Sequence, residues 1–152
     1  MVPFSRQMPT VIRPGQIRID VTYEPPLRVG FGINDRTVDG ARATMGRSIL
    51  VPGAGPNPAH YHAANDVCWY ILYGRIRASF AQSDGSDRKD VILEGGDFVY
   101  IPRGAIHVIA NASDSEEASL IFCYIGVGNT DDAQTVWLDE AEKGAGGGGP
   151  CP

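Results

Sequence analysis

A chain of 152 residues with 43% hydrophobic and 20% charged side chains is long enough to bury one core and too short for two full domains. A formal net charge of -5, with no cluster of basic residues, excludes the electrostatic footprint of a nucleic-acid binder. The opening stretch MVPFSRQMPT is interrupted by Pro3 and Pro9 and holds no apolar run of about 7–15 residues, so neither a signal peptide nor a membrane span is expected there and a cytoplasmic location is the default.

In chain order, the segments that read as ordered are Gln16–Val21, Thr44–Val51, Val67–Tyr73, Arg75–Phe80, Asp97–Ile101, Val108–Asn111, Ala118–Gly126 and Thr135–Leu138. They are short, rich in Val, Ile, Tyr and Phe, and separated by Gly, Pro, Asn and Asp, which predicts strands rather than long helices. That many strands in one small domain predict an all-β barrel or jelly roll, an architecture that closes sheet edges. Tyr73-Gly74-Arg75 is expected to form a tight corner, and Ser83–Asp87 a polar loop. The domain is expected to run over residues 1–143, beginning with an N-terminal strand extension. Asp139–Lys143 reads either as a helical turn or as solvated surface. Residues 144–152, with five glycines and two prolines, are expected to be a flexible tail, because ordering them costs much entropy and buries little.

The three cysteines, Cys68, Cys123 and Cys151, are too widely spaced and odd in number for a disulfide framework. Cys68 and Cys123 lie in hydrophobic runs and are expected to pack as small buried hydrophobes.

Of the three histidines, His60 and His62 stand in Pro-Ala-His-Tyr-His. Residues i and i+2 of a strand share a face, so the two imidazoles project together. His107 follows a turn built on Pro102 and Gly104 and leads into another β run, which a barrel can place beside the first. Any single histidine is more often a hydrogen-bonded core or surface residue than a ligand. Three that converge are better explained by a metal, since neutral imidazole binds Zn, Fe, Cu and Ni, and three nitrogens leave coordination positions open for substrate, water or oxygen.

At these residues the chain resembles the cupin superfamily. Gly96, Pro102, Gly104, His107 and Asn111 match the family's second signature, G-x5-P-x-G-x2-H-x3-N, in full. His60, His62 and Gly74 match the first signature, and the two together cover about residues 53–111. The resemblance implies a single-domain cupin β-barrel, a double-stranded β-helix, holding one divalent ion on His60, His62 and His107. The glutamate that the family uses as a fourth ligand is missing. Counting back from Gly74 puts Val67 in its place, and counting forward from His62 puts Asp66 there as a candidate fourth ligand. Alternation favours Val67, Trp69 and Ile71 on the inward face, with Asp66, Cys68 and Tyr70 outward.

A three-histidine centre leaves the ion's 2+ charge for an anionic oxygen to offset. Among cupins this arrangement resembles that of mononuclear non-haem Fe(II) dioxygenases, which implies a small chelating substrate such as a β-diketone, a hydroxylated aromatic or a hydroxy acid. Two alternatives stay open: a Zn, Mn or Ni lyase, isomerase or cyclase that consumes no oxygen, and a non-catalytic small-molecule binding cupin. Trp69, Tyr100 and Arg47 are candidates to line the pocket, although aromatics on strands and arginines near them are more often packing and surface. Arg103 is expected to point outward, and Asn111 to be structural. The resemblance also implies a homodimer, paired through sheet edges or an exchanged N-terminal strand, with Gln16–Val21 the strand to exchange.

Overall fold

The computed structural model describes residues 7–138. Two antiparallel sheets face each other across one core. The first holds β1 (Ile19–Asp20), β2 (Arg28–Ile33), β3 (Ala43–Leu50), β10 (Ala118–Ile125), β5 (Val67–Tyr73) and β8 (Phe98–Ile101), in that spatial order. The second holds β11 (Thr135–Trp137), β4 (His60–His62), β9 (Ile106–Asn111), β6 (Arg75–Ala81) and β7 (Lys89–Glu94). This is the all-β jelly roll expected from the pattern of short strands. Among the described residues no helix is long and apolar enough to cross a membrane.

Period-two alternation decides what faces the core. On β5, Val67, Trp69 and Ile71 are buried while Cys68 and Tyr70 face outward. On β10, Leu120, Phe122 and Tyr124 are buried in the same way. Leu27, Leu50, Ile71, Ile76 and Leu120 are fully buried between the sheets, and each contributes about 1.5–3 kcal/mol through removal from water. Two glycines permit close approach. A Cβ on Gly46 would lie 2.3 Å from the Gly30 carbonyl oxygen, so β2 and β3 can meet only if residue 46 has no side chain. Gly74 makes the expected corner with a φ of +81°, and a Cβ there would lie 2.6 Å from the Ala118 Cα.

Several expectations need correction. The N-terminal strand shrinks to Ile19–Asp20, because Pro14–Gln16 forms a 3-10 turn first. It pairs with β2, Ile19 opposite Gly30. Strands β2 and β7 were not expected: glycines 30 and 32 break the β signal of the first, and the charged ends of Lys89–Glu94 disguise the second as loop. Cys68 and Cys123 are half-buried rather than buried, and they stand opposite each other on β5 and β10 as free thiols. Cys151, the turn expected over Asp139–Lys143 and the tail expected over 144–152 lie outside the described residues.

Candidate metal centre

Strand pairing assembles the three histidines. His60 and His62 occupy alternate positions of β4, and both are buried. His60 stands directly opposite His107 on β9, and residues directly opposite in an antiparallel pair share a face. The potential ligand atoms of the three rings all lie within 4.8 Å of one another. Three nitrogens bound to one ion at about 2.0–2.1 Å lie at most about 4.2 Å apart, so small side-chain adjustments would bring the set onto an ion.

The Nδ1 atoms are already engaged. Those of His60 and His107 face the carbonyl oxygens of Pro58 and Ala105 at 2.8 and 3.0 Å. A carbonyl only accepts, so each Nδ1 carries the proton and each Nε2 presents a lone pair. His62 Nδ1 lies 2.8 Å from the Thr135 hydroxyl, because β11 sets Thr135 opposite His62. The same pairing sets Trp137 opposite His60, with ring centroids 4.5 Å apart. The Nε2 atoms of His60 and His62 are buried without a hydrogen-bond partner. Buried polar atoms are seldom left so, and lone pairs already oriented by contacts on the opposite ring nitrogen suit a divalent cation.

Burial, reinforced by the neighbouring imidazoles, holds the histidines well below the usual imidazole range: His60 at about 4, His62 and His107 at about 3. All three are therefore neutral near pH 7, the state in which imidazole binds a metal.

The opposite sheet closes the site. The Trp69 ring lies 5.6 Å from that of His107, and the Tyr124 ring 4.6 Å from that of His62. A cavity of about 10 Å³, space for a single water, lies among Glu24, Trp69, His107 and Tyr124. A cleft of about 720 Å³ opens outside, against Asp20, Tyr23, Pro58, Asp131, Thr135 and Trp137. The hydroxyls of Tyr23 and Tyr124, 3.0 Å apart, join the wall of the cleft to that of the cavity.

The other sequence candidates lie elsewhere. Asp66 is turned away from the histidines: it accepts hydrogen bonds from the Tyr100 hydroxyl at 2.5 Å and the Arg103 backbone N–H at 2.8 Å, while Val67 takes the inward position. These bonds hold the Asp66 carboxyl below the usual range, the Tyr100 bond contributing most. Tyr100 is 60% exposed and outside the pocket. Arg47 also faces away, donating to Ser119 Oγ and the Tyr73 hydroxyl at 2.8 Å each. Asn111 is structural, its amide donating to the carbonyls of Leu50, Val51 and Glu116.

One residue at the site was missed altogether. Glu24, between β1 and β2, is buried, and its Oε1 lies 3.6 Å from His60 Nε2. Burial pushes its carboxyl up to about 7, against a hydrogen bond from Asn57 that lowers it. The only sequence signal was a charged residue in the otherwise uncharged stretch Val21–Leu27.

Residues 46–124, slightly more than half of the chain, match the family model for the cupin domain. The germin-like protein 3-8 of Oryza sativa subsp. japonica is 36% identical over 86 residues, which make up 53% of this chain and 37% of that protein. The chain spans about a third of the length of the curated relatives it matches. Among solved structures, the oxalate decarboxylase of Lactobacillus farciminis in its formate complex superposes with a TM-score of 0.67 at 17% identity, over 82% of this chain and 34% of that one. The CENP-C cupin domain of Drosophila melanogaster superposes with a TM-score of 0.63 at 15% identity, over 79% of this chain and 84% of that one. At these identities the likeness is one of fold.

Proposed function

The chain belongs to the cupin family, and from that premise we propose that it is a metal-dependent enzyme, a mononuclear non-haem Fe(II) dioxygenase acting on a small chelating substrate such as a β-diketone, a hydroxylated aromatic or a hydroxy acid. The observation that carries the reading is the set of three buried, neutral imidazoles, those of His60 and His107 with oriented Nε2 lone pairs, together with Val67 on the inward face. Iron bound there would supply oxygen activation and polarisation of the chelated substrate. The chain's residues do the rest. Pro58, Ala105 and Thr135 fix the ring orientations through Nδ1. Trp69, Phe122 and Tyr124 line the inner cavity and shield it from bulk water, while Tyr23 and Trp137 line the outer cleft beyond the Tyr23–Tyr124 hydroxyl contact.

The test is oxygen uptake by the Fe(II)-loaded protein with β-diketones and hydroxylated aromatic acids. Substrate-dependent uptake, absent with the Zn form, is expected; turnover of such compounds without uptake would move the assignment to a Zn, Mn or Ni lyase or isomerase.

The expected homodimer also remains a proposal. It is supported by the outward apolar side chains of the six-stranded sheet, where Phe98 is 82% exposed beside Tyr70 and Tyr100. Light scattering should give twice the chain mass, and a monomer at micromolar concentration would refute pairing.

A further inference from the structure

The loop between β1 and β2 carries Glu24 into the barrel, where its Oε1 faces His60 Nε2 at 3.6 Å. The His60 proton is on Nδ1, donated to Pro58, so the atom facing the carboxylate is a lone pair. Two acceptors thus confront each other in the protein interior. The separation is too long for a shared proton and lies between the spacings of about 3.0 and 4.2 Å for two ligand atoms at right angles and opposite each other on one ion. Among the described residues, the ion-pair contact of Glu24 is to His60 alone, with no lysine or arginine beside it. A carboxylate buried this way is stable only with a cation or a full set of donors.

The carboxylate is also held in place. Asn57, itself buried, donates from Nδ2 to Glu24 Oε2 at 3.2 Å. Its Oδ1 accepts from the Ile109 N–H at 2.8 Å, and its own N–H donates to the Ile109 carbonyl at 3.1 Å. Ile109 follows His107 by two positions on β9, so the strand that supplies one imidazole anchors the amide that orients the carboxylate. With Oε2 occupied, Oε1 is left to face His60, at the edge of the three-histidine set rather than among all three rings.

We propose that Glu24 is the metal-facing carboxylate of this centre, supplied by the N-terminal loop to do what Val67 cannot do from β5. The proposal rests on the three-histidine centre proposed above. It sharpens the substrate class. One carboxylate reduces the ion's 2+ to a net single positive charge, so the centre favours a chelating substrate that binds as a monoanion, such as an enolate or a hydroxy-acid carboxylate.

The experiment uses the full chain freed of metal and titrated with Co(II), with affinity, visible absorption and thermal melting as readouts. Glu24→Gln keeps the shape and the Asn57 bond but removes the charge. It is expected to weaken Co(II) binding by about 10- to 100-fold and to alter the absorption bands. Its metal-free melting temperature should equal or exceed that of wild type, an outcome a merely structural carboxylate would not give. Glu24→Asp, with the charge on a shorter arm, should bind Co(II) more tightly than Glu24→Gln and less tightly than wild type. Wild-type affinity and absorption in either variant overturn the role of Glu24 and leave the three-histidine centre intact. Failure of the wild-type chain to bind one Co(II) overturns both.

Discussion

Replacing His107 with Gln is expected to lower the affinity for Fe(II) or Co(II) on the order of 100-fold or more, beyond the effect of losing a group that merely supports a ligand. Of the three histidines, His107 alone does not come from β4, so without it two imidazoles on one short strand remain. Gln is chosen over Ala because His107 is 3% exposed and truncation of a buried side chain adds a cavity cost of about 2–5 kcal/mol, which would confuse loss of metal with loss of fold. The variant should keep the wild-type far-ultraviolet circular dichroism and melt cooperatively without metal, while the rise in melting temperature on adding metal disappears. A variant that binds metal as tightly as wild type would place the ion elsewhere.

The metal-free protein should lose stability as pH falls from about 6.5 towards 4. His60, His62 and His107 titrate at about 4, 3 and 3 in the folded chain, against about 6.5 when unfolded. Between those values the unfolded chain binds more protons, so their contribution is fully present above pH 6.5 and declines as pH falls to the folded values. Glu24 acts in the opposite sense: its carboxyl is raised to about 7 from about 4.5, so the folded chain binds the extra proton in that window and the Glu24 contribution improves as pH falls. Three groups outweigh one. At about 1.4 kcal/mol for each unit of displacement, the loss is comparable with the whole stability of a domain. Urea midpoints of the chelated protein at pH 7, 5.5 and 4.5 should fall steadily, and more steeply in Glu24→Gln. Saturating metal should hold the midpoint up to lower pH, because it binds only the folded chain. A midpoint constant or rising into acid would mean that the histidines are not buried as neutral rings.

The parts of this architecture that were legible in the sequence are those governed by local rules. Strand β5 follows the alternation of Val67, Trp69 and Ile71, and the pairing of His60 with His62 follows from strand geometry alone. The spacing of Gly96, Pro102, Gly104 and His107 carried the third histidine. What was illegible depends on contacts between distant segments. Strand β2 forms despite Gly30 and Gly32 because it pairs along β3, where Gly46 leaves room for the Gly30 carbonyl, while Ile17 and Ile19 pack over Gly30; none of these partners is revealed by the local pattern. Arg47 and Tyr100 lay on strands near the motifs, yet their positions put them on the outer face, where they bond to Ser119, Tyr73 and Asp66. Glu24 stands far before the histidines in sequence, in the stretch Tyr23-Glu24-Pro25-Pro26, and only the folding of the N-terminal segment over the barrel brings it to His60.

The central claim is that this barrel holds one divalent ion on His60, His62 and His107. Elemental analysis of protein purified without a metal-affinity tag tests it most directly. About one first-row divalent ion per chain, iron foremost, and absent from His107→Gln, is the predicted result; a wild-type protein that carries no such ion and takes up none when Fe(II) is supplied anaerobically would contradict it.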